Sequence, residues 1–415
     1  MRLQQVASYF TSSVDKKSSD DELSVRLCNY TDVYYQERIR EDSGEFMSAT
    51  ASAHEIARFG LQVGDVLITK DSEDWRDIAV PALVEKVARD FVCGYHLGII
   101  RPSALVEPSF LFRAMQSAAV NQQLQVASTG VTRYGVQNAA VSEAVTPLPP
   151  LAEQRQIAAF LDRATARIDE LVAANRLLIE RLDEYRSALI TQTVTGGLPA
   201  EAAQAAGIAP ATATKPSGVG WIGDVPEHWE VRSFRNVCQL AYGDSLKADE
   251  RIDGDVPVFG SNGVVGTHIE SNTLCPAIVV GRKGSHGKVN FSDAAAFAID
   301  TTYFVDARQT KAHLRWLYYV LASADLAAVS KDSAVPGLAR ADAYAKWLPY
   351  PPIREQRAIA AYLDHATEHL ALLSADVEMA MERSQEYRSS LVTAAVTGKI
   401  DVRGEVPAMS GGTEA

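Results

Sequence analysis

The fold is decided by a stretch of sequence that occurs twice in the chain. The segment PPLAEQRQIAAFLD at residues 149–162 recurs as PPIREQRAIAAYLD at residues 351–364. Glu355 lies 202 residues after Glu153, and EYRS at 184–187 meets a second EYRS at 386–389 at the same offset. A period this long excludes a solenoid of short repeats. It indicates two copies of a globular domain, each followed by the same second element.

That second element is predicted to be one long helix in each copy. Paired prolines precede it and Gly196 or Gly398 follows it, as expected for the start and stop of a helix. Apolar residues recur in alternating steps of four and three, which is the a/d pattern of a coiled coil. Core helices of an ordinary bundle are the alternative, but the length and regularity of the pattern favour the coiled coil. The predicted a/d positions are Ile157, Leu161, Ala164, Ile168, Leu171, Asn175, Leu178, Leu182, Tyr185 and Leu189 in the first copy, and Ile359, Leu363, Ala366, Leu370, Leu373, Val377, Ala380, Ser384, Tyr387 and Leu391 in the second.

Composition limits the class of protein. A chain of 415 residues is expected to form two to four domains. Hydrophobic residues make up 47% and charged residues 22%, and no apolar run reaches the roughly 18–20 residues of a membrane span. The N-terminus lacks the apolar segment of a secretion signal, so a cytoplasmic location is expected. The net charge of −12 argues against binding polyanions over the whole surface, so any contact with nucleic acid should be local.

Two globular blocks of mixed α/β type are predicted, at residues 1–148 and 219–350. They combine β-like runs at 66–69 and 277–280 with a helical run at 314–321. Residues 198–218 are rich in Ala, Pro, Gly and Thr and are predicted to be a linker, while 401–415 should form a flexible tail. The two blocks resemble each other faintly. Residues 2–17 pair with 232–247, and Gly130 and Arg133 pair with Gly337 and Arg340.

The sequence contains no recognisable catalytic motif. GRKGSHGK at 281–288 has glycines one residue too far apart for a Walker A motif, and the glycines of 260–266 lack dinucleotide-loop spacing and predict a turn. His365 and His369 lie one helical turn apart but off the apolar seam, which favours a solvated helix face over a metal site. A nucleophile elbow, a His-Glu-x-x-His motif and the tetrapeptide of amino-methyltransferases are also missing from the sequence. We therefore predict a non-catalytic protein with no cofactor or metal of its own.

The four cysteines give no sign of a disulfide framework or a zinc site. Cys28, Cys93, Cys238 and Cys275 are far apart and form no Cys-x-x-Cys pair. They are expected to be buried thiols.

One segment carries a local positive charge. Between Ser271 and Ser292 there is no acidic residue, and a glycine-rich loop there contains Arg282, Lys283, Ser285, His286 and Lys288. Glycines allow a backbone to approach a phosphate, and arginine pairs with the O6 and N7 atoms of guanine, so the loop is a candidate for contacting DNA. A flexible basic surface loop is the alternative. Arg340, Lys70 and Arg133 are further candidates.

The order of these elements closely resembles the specificity subunit of type I restriction–modification systems. The resemblance covers nearly the whole chain and includes GWIGDVPEHW at 220–229, between the linker and the second block. LCNYTDVYY at 27–35 and GRKGS at 281–285 are similar to recurrent phrases of that family's target-recognition domains. The resemblance implies target-recognition domains at 1–148 and 219–350. It also implies a central conserved helical region at 149–197 and a C-terminal one at 351–400, which pack as an antiparallel coiled coil with pseudo-two-fold symmetry.

The resemblance also implies partners. Each target-recognition domain would read one half of a bipartite site in double-stranded DNA. Two methyltransferase (modification) subunits would bring S-adenosylmethionine, and two motor-nuclease (restriction) subunits would use ATP and magnesium. The acidic charge is then reasonable if partners supply much of the phosphate-binding surface. The alternative is a two-headed coiled-coil scaffold, or an orphan relative of that family, that binds proteins and has no role on DNA.

Overall fold

The computed structural model describes residues 1–210, 213–328 and 337–403. The chain divides into two compact units, and the division falls inside both long helices. Unit 1 contains Met1–Asn175 and the C-terminal segment from Glu378, and unit 2 contains Arg176–Val377. Each unit therefore combines one globular head with the first half of the long helix that follows it and the last half of the other long helix. We call residues 1–148 head 1 and residues 219–350 head 2.

Head 1 is built on a five-stranded sheet of order β1-β9-β5-β7-β3, with a three-stranded sheet β4-β2-β8 and a short pair β10-β6. The buried strand β5 has the predicted bounds, and its apolar residues are buried on both faces of the sheet. The elements are β1 (Ala7–Thr11), β2 (Leu23–Cys28), α1 (Tyr30–Tyr35), β3 (Arg38–Arg40), β4 (Met47–Ala51), α2 (Ala53–Phe59), β5 (Val66–Thr69), β6 (Asp71–Ser72), β7 (Pro81–Lys86), β8 (Phe91–Cys93), β9 (Leu97–Pro102), α3 (Pro108–Gln116), α4 (Ala118–Val126), β10 (Tyr134–Gly135) and α5 (Asn138–Glu143).

Unit 2 begins inside the first long helix, α6 (Leu151–Gly196). Head 2 has a four-stranded sheet β14-β20-β17-β18, a three-stranded sheet β16-β15-β19 and a pair β13-β21. The predicted linker region contains α7 and β11, which pairs with β12. The elements are α7 (Ala200–Ala205), β11 (Thr214–Pro216), β12 (Asp224–Pro226), β13 (Glu230–Ser233), α8 (Phe234–Val237), β14 (Ala241–Tyr242), β15 (Val256–Gly260), β16 (Gly263–His268), β17 (Ala277–Gly281), β18 (Val289–Ser292), β19 (Phe297–Ala298), β20 (Thr302–Val305), α9 (Leu314–Ser323), α10 (Arg340–Tyr344), β21 (Trp347–Tyr350) and the second long helix α11 (Ile353–Val396).

Both long helices begin and end where the sequence predicts. Each starts directly after its paired prolines, and positive-φ glycines follow the ends, at Gly197 (φ 91°) and Gly398 (φ 72°). In unit 1 the start of α6 shares a core with the end of α11, through Ile157 and Val392. In unit 2 the end of α6 shares a core with the start of α11, through Val194 and Ile359. This is the antiparallel arrangement that the resemblance implies.

The predicted a/d pattern is confirmed in part: seven of its ten positions in each long helix are buried or half-buried, and three are exposed. Leu171 and Tyr185 of α6 are 52% and 57% exposed, and Tyr387 of α11 is 60% exposed. The spacing of four and three is kept, but the buried or half-buried stripe includes polar side chains that an apolar pattern does not detect. In the first halves of the helices this stripe consists of Gln154, Ala158, Leu161, Thr165, Ile168 and Val172, and of Gln356, Ala360, Leu363, Thr367, Leu370 and Ser374.

The repeat extends from the helices into the heads. The Val136 N–H donates to the Lys70 carbonyl oxygen (2.9 Å), and the Leu338 N–H donates to the Arg282 carbonyl oxygen (2.8 Å). Val136 and Leu338 are separated by the same 202 residues as the helix repeats. Lys70 of head 1 and Arg282 of head 2 therefore occupy equivalent positions.

The predicted equivalence of Gly130 with Gly337 is wrong. Gly337 forms a bridge with Lys283, and the equivalent glycine, Gly135, pairs with Asp71. The short Gly-x-x-Arg resemblance aligns the two segments five residues out of register. The position equivalent to Arg133 is 335, which lies outside the described residues.

Three of the four cysteines are buried as predicted, but Cys275 is exposed. It lies outside the core because it precedes β17, where its thiol donates to the Asp293 carbonyl oxygen (2.9 Å). His365 and His369 both lie on an exposed helix face, as predicted. Within the described ranges no helix is long and apolar enough to cross a membrane. Residues 404–415 of the predicted flexible tail lie outside the described residues.

Candidate nucleic-acid interface

The basic segment of head 2 is the loop of a β-hairpin. It connects β17 to β18, and the Gly281 N–H donates to the Lys288 carbonyl oxygen (2.8 Å) to close it. The strand–loop–helix geometry of a Walker A motif is therefore not formed here. Gly284 and Gly287 have positive φ angles of 69° and 77°. A Cβ at Gly287 would lie 2.4 Å from the Ala327 backbone nitrogen, so this glycine is needed for packing within the head.

Arg282 and Arg340, distant in sequence, meet over one aromatic ring. The Arg282 guanidinium lies 5.0 Å from the centroid of the Tyr242 ring, and that of Arg340 lies 4.4 Å from it. Arg282 also donates through Nη1 to the Asp300 carbonyl oxygen (3.2 Å). Because a guanidinium has five N–H donors, this leaves most of its donors available to a ligand. The arginines form a positively charged, donor-rich surface at the sheet edge.

The other candidate DNA-contacting side chains in this loop differ in whether hydrogen bonds restrain them. Lys288 donates through Nζ to the carbonyl oxygen and the side-chain Oδ1 of Asn262 (2.9 and 2.8 Å), in the turn between β15 and β16. That turn confirms the one predicted at 260–266. His286 faces the Gly284 carbonyl oxygen at 3.2 Å, whereas Lys283 and Ser285 are exposed. Lys288 is therefore a side chain that holds the loop in place, and Lys283 is open to solvent.

The equivalent edge of head 1 has an acidic residue where head 2 has a basic one. Asp71 stands where head 2 has Lys283, next to the half-buried Lys70. The Arg133 guanidinium is paired with Asp71 (2.5 Å), and His96 Nδ1 lies 2.9 Å from the same carboxylate. The two candidates of head 1 are thus brought close together, but beside a carboxylate that offsets their charge.

A cavity of about 410 Å³ opens beside Asp71. The rings of Tyr30 and Tyr34 stack with their centroids 5.5 Å apart. The Tyr34 hydroxyl donates to the Asp77 carboxylate, and this hydrogen bond raises the pKa of Tyr34 to about 12. The cavity is acidic and aromatic, which repels phosphate but offers acceptors to amino groups. Its lining residues are Tyr30, Thr31, Tyr34, Tyr35, Asp71, Ser72, Glu73, Asp74, Asp77 and Arg133.

Sequence reasoning missed Tyr242 and Asp71 as site residues. No sequence pattern marks Tyr242, because its place beside two arginines is set by strand pairing between distant segments. A sequence pattern does mark Asp71, since three of the five residues in the run KDSED at 70–74 are acidic.

The repeated Glu-Gln-Arg motif attaches each head to its helix. Gln154 accepts from the Glu107 N–H (2.8 Å) at the start of α3 and donates to the Pro149 carbonyl oxygen (2.8 Å). Gln356 makes the same two bonds in unit 2, with the His313 N–H and the Pro351 carbonyl oxygen, both at 2.8 Å. The glutamine of the motif is therefore a buried capping residue.

A second attachment follows about two turns later on each helix. In unit 1 the Arg113 guanidinium is paired with Asp162 (2.8 Å) and Glu37 (3.3 Å), and its side chain is only 3% exposed. Burial lowers the pKa of Arg113. In unit 2 the equivalent pair is Arg315 with Asp364 (2.6 Å), and this arginine side chain is 30% exposed.

Each unit also presents apolar side chains on its helix surface. Leu171 and Tyr387 are exposed in unit 1, and Leu373 and Tyr185 are exposed in unit 2. Leu373 is the repeat of Leu171, and Tyr387 is the repeat of Tyr185, so the two surfaces have equivalent composition. We call them the helix patches.

The chain matches known proteins over most of its length. The family model for the type I restriction modification DNA specificity domain matches residues 58–181 and 226–376, more than half of the chain. The putative type I restriction enzyme MjaX specificity subunit of Methanocaldococcus jannaschii is 21% identical over 367 residues, covering 84% of this chain and 81% of that protein. The EcoKI specificity subunit of Escherichia coli K12 is 24% identical over 184 residues, covering 44% of this chain and 35% of that protein.

Solved structures share the fold. A chain from a study of complex assembly and conformational transition of the type I R-M system has a TM-score of 0.70 at 18% identity, covering 96% of this chain and 97% of that one. The HsdS subunit from Thermoanaerobacter tengcongensis has a TM-score of 0.54 at 19% identity, covering 96% of each chain. With its two heads, its repeated helices and these matches, the chain belongs to the family of type I restriction–modification DNA specificity subunits.

Proposed function

We propose that this specificity subunit reads a bipartite site in double-stranded DNA, with one head on each half-site. The observation that carries the proposal is the pair of guanidinium groups at Tyr242, from the half-buried Arg282 and the exposed Arg340, which is suited to guanine edges and phosphates. The equivalent edge of head 1 differs in charge, as expected if each head reads its own sequence. Because its ligand would be the cell's DNA, we propose that the protein acts in the cytoplasm.

The subunit itself would not be catalytic. Methylation would come from two methyltransferase subunits that carry S-adenosylmethionine, and cleavage from two motor-nuclease subunits that use ATP and magnesium. The helix patches support docking of two identical partners, because they have equivalent composition and exposed leucine and tyrosine side chains favour protein contacts. Each patch would receive one methyltransferase subunit.

The test is to express the chain with its methyltransferase partner and map methylated bases across the host genome. We expect methylation at a single two-part motif that disappears when this chain is omitted. The chain purified alone should neither methylate nor cut DNA. Methylation by the isolated chain, or an unchanged motif without it, would contradict the proposal.

The helix patches allow a separate test of docking. Replacing Leu171 and Tyr387 by Asp should remove one methyltransferase subunit from the purified complex, and replacing Leu373 and Tyr185 should remove the other. Native mass measurement reports the stoichiometry. Asp replacements at exposed His365 and His369 serve as the control, and loss of a partner from that variant would show that added charge alone disrupts the complex.

One observation supports the alternative function, a scaffold that binds proteins: the acidic cavity of head 1. Phosphate is repelled there, whereas a basic side chain of a protein would be attracted. The same mapping experiment decides between the two functions, because omitting a scaffold with no role on DNA would leave the methylated motif unchanged.

A further inference from the structure

Tyr242 occupies a fixed position at the edge of the head 2 sheet. It lies on β14, opposite Tyr303 of β20, and the two ring centroids are 5.2 Å apart. Tyr303 is buried, and its hydroxyl donates to the Leu338 carbonyl oxygen (2.9 Å). Tyr242 itself is 46% exposed. A buried ring thus supports one that faces solvent.

The exposed Tyr242 ring restrains two guanidinium groups, those of Arg282 and Arg340. A cation over an aromatic face is attracted by the ring quadrupole, and arginine stacks there as a flat group. Arg282 is restrained further by the hydrogen bond that it donates to the Asp300 carbonyl oxygen. The planes of both arginines are therefore partly oriented before any ligand arrives, which reduces the entropy lost on binding.

We propose that Tyr242 is a positioning residue that holds Arg282 and Arg340 for bidentate hydrogen bonding to guanine in the half-site read by head 2. The inference rests on the proposed function. Guanine presents two adjacent acceptors, O6 and N7, in the major groove, and these match the paired N–H donors of an arginine fork. Contacts to phosphate would use the same charge but would carry no base preference.

Head 1 has neither the tyrosine nor the two arginines that meet in head 2. Thr69 of β5 pairs with Leu97, as Gly281 of β17 pairs with Thr302. One residue further on, Gly98 pairs with Thr11, as Tyr303 pairs with Tyr242, so Thr11 is the equivalent of Tyr242.

The equivalents of the two arginines follow from the same repeat. Lys70 stands in place of Arg282, and Asn138 begins α5 where Arg340 begins α10. An ammonium and an amide cannot replace a pair of stacked guanidinium forks. The two heads therefore read different half-sites, and only the half-site of head 2 depends on this guanine contact.

The experiment compares variants of Tyr242 in the complex with the methyltransferase partner. Tyr242→Ala should relax base preference at one or two guanine positions of one half-site, with at least a tenfold loss of discrimination there and no change at the other half-site. Tyr242→Phe keeps the ring and should retain the wild-type motif. Arg282→Lys and Arg340→Lys keep the charge but lose the fork, so they should resemble Tyr242→Ala.

A modified base tests the contact itself. Replacing guanine by 7-deazaguanine in a duplex removes the N7 acceptor, and it should weaken binding of the wild-type complex about as much as Tyr242→Ala does. The Tyr242→Ala complex should be nearly insensitive to it. Thermal unfolding of each variant checks that head 2 is intact.

Several results would overturn the inference. An unchanged motif and rate in Tyr242→Ala would do so, and so would identical half-sites in the wild-type motif. A loss of binding that is uniform across sequences would assign the arginines to phosphate. If the wild-type complex shows no two-part motif at all, the proposed function fails instead, so the two failures are distinguishable.

Discussion

The two heads share one framework and differ in charge at the edge that we propose for DNA contact. Lys283 of head 2 and Asp71 of head 1 take the same place in equivalent antiparallel pairings, yet they have opposite charges. In contrast, Gln154 and Gln356 make the same pair of hydrogen bonds at the base of their heads. The comparison shows that the repeat is kept where the heads join the helices and is lost where they would meet DNA.

The largest expected effect concerns the two buried attachments. Arg113→Ala removes an almost fully buried guanidinium and its charge-assisted hydrogen bonds, and it should lower the free energy of unfolding of unit 1 by about 2–3 kcal/mol. Arg38 and Arg388 still pair with the two carboxylates that are left behind. Arg315→Ala should cost unit 2 only about 1 kcal/mol, because that arginine is more exposed and Tyr319 still donates to Asp364. Denaturant titration measures both. Equal losses would show that the attachments are energetically equivalent.

The second prediction compares the ligand edges directly. Replacing Arg282 and Lys283 together by Ala should reduce specific binding about tenfold or more, because charge-assisted base contacts are lost. Replacing Lys70 and Arg133 should have a smaller effect, because Asp71 already offsets their charge. Binding of the partner complex to its own site is measured. A larger loss from the head 1 pair would reverse the assignment of the two edges.

The third prediction tests where the heads are alike. Gln154→Ala leaves the Glu107 N–H and the Pro149 carbonyl oxygen without their partner, and Gln356→Ala does the same in unit 2. Each should cost about 1–3 kcal/mol. Denaturant titration should give similar losses for the two variants, and a twofold or greater difference would mean that the junctions are not equivalent.

The smallest expected effect is on the pH at which Tyr34 of head 1 loses its proton. Tyr34 has a pKa of about 12, above the ordinary value of 10, because its hydroxyl donates to the Asp77 carboxylate. A pKa that is raised in the folded state stabilises the fold below about pH 10, and this contribution is lost as the pH rises through about 12. Difference absorbance between the wild type and Tyr34→Phe isolates this tyrosine. In an Asp77→Asn background its pKa should move back toward 10.

The sequence predicts the strands and helices that are buried through their apolar side chains. The strands at 66–69 and 277–281 and the helix beginning at Leu314 are predictable from runs of buried apolar residues. The ends of the long helices follow from proline and glycine. The buried stripe of the long helices was predicted only in part, because Gln154 and Thr165 are buried through hydrogen bonds and packing that hydrophobicity does not describe.

The candidate site was predictable in part. The β17–β18 loop can be found because its charge is local in sequence. The meeting of Arg282 with Arg340 depends on strand pairing across tens of residues, and no short pattern encodes it. The sequence alignment of Gly130 with Gly337 failed because Asn138 stands where head 2 has Arg340, so the short Gly-x-x-Arg resemblance selected Gly130 in place of the equivalent Gly135.

The paired glutamines have a consequence for how such a protein can change over evolutionary time. Each glutamine accepts a hydrogen bond from one backbone N–H of its head, which any non-proline residue can supply, and donates to the carbonyl oxygen of a proline that precedes its own helix. A head can therefore exchange side chains across its outer surface without altering the fastening that holds it. Mutations that retarget one head need no compensating change in the helices, so new recognition can arise one head at a time while the rest of the protein stays the same.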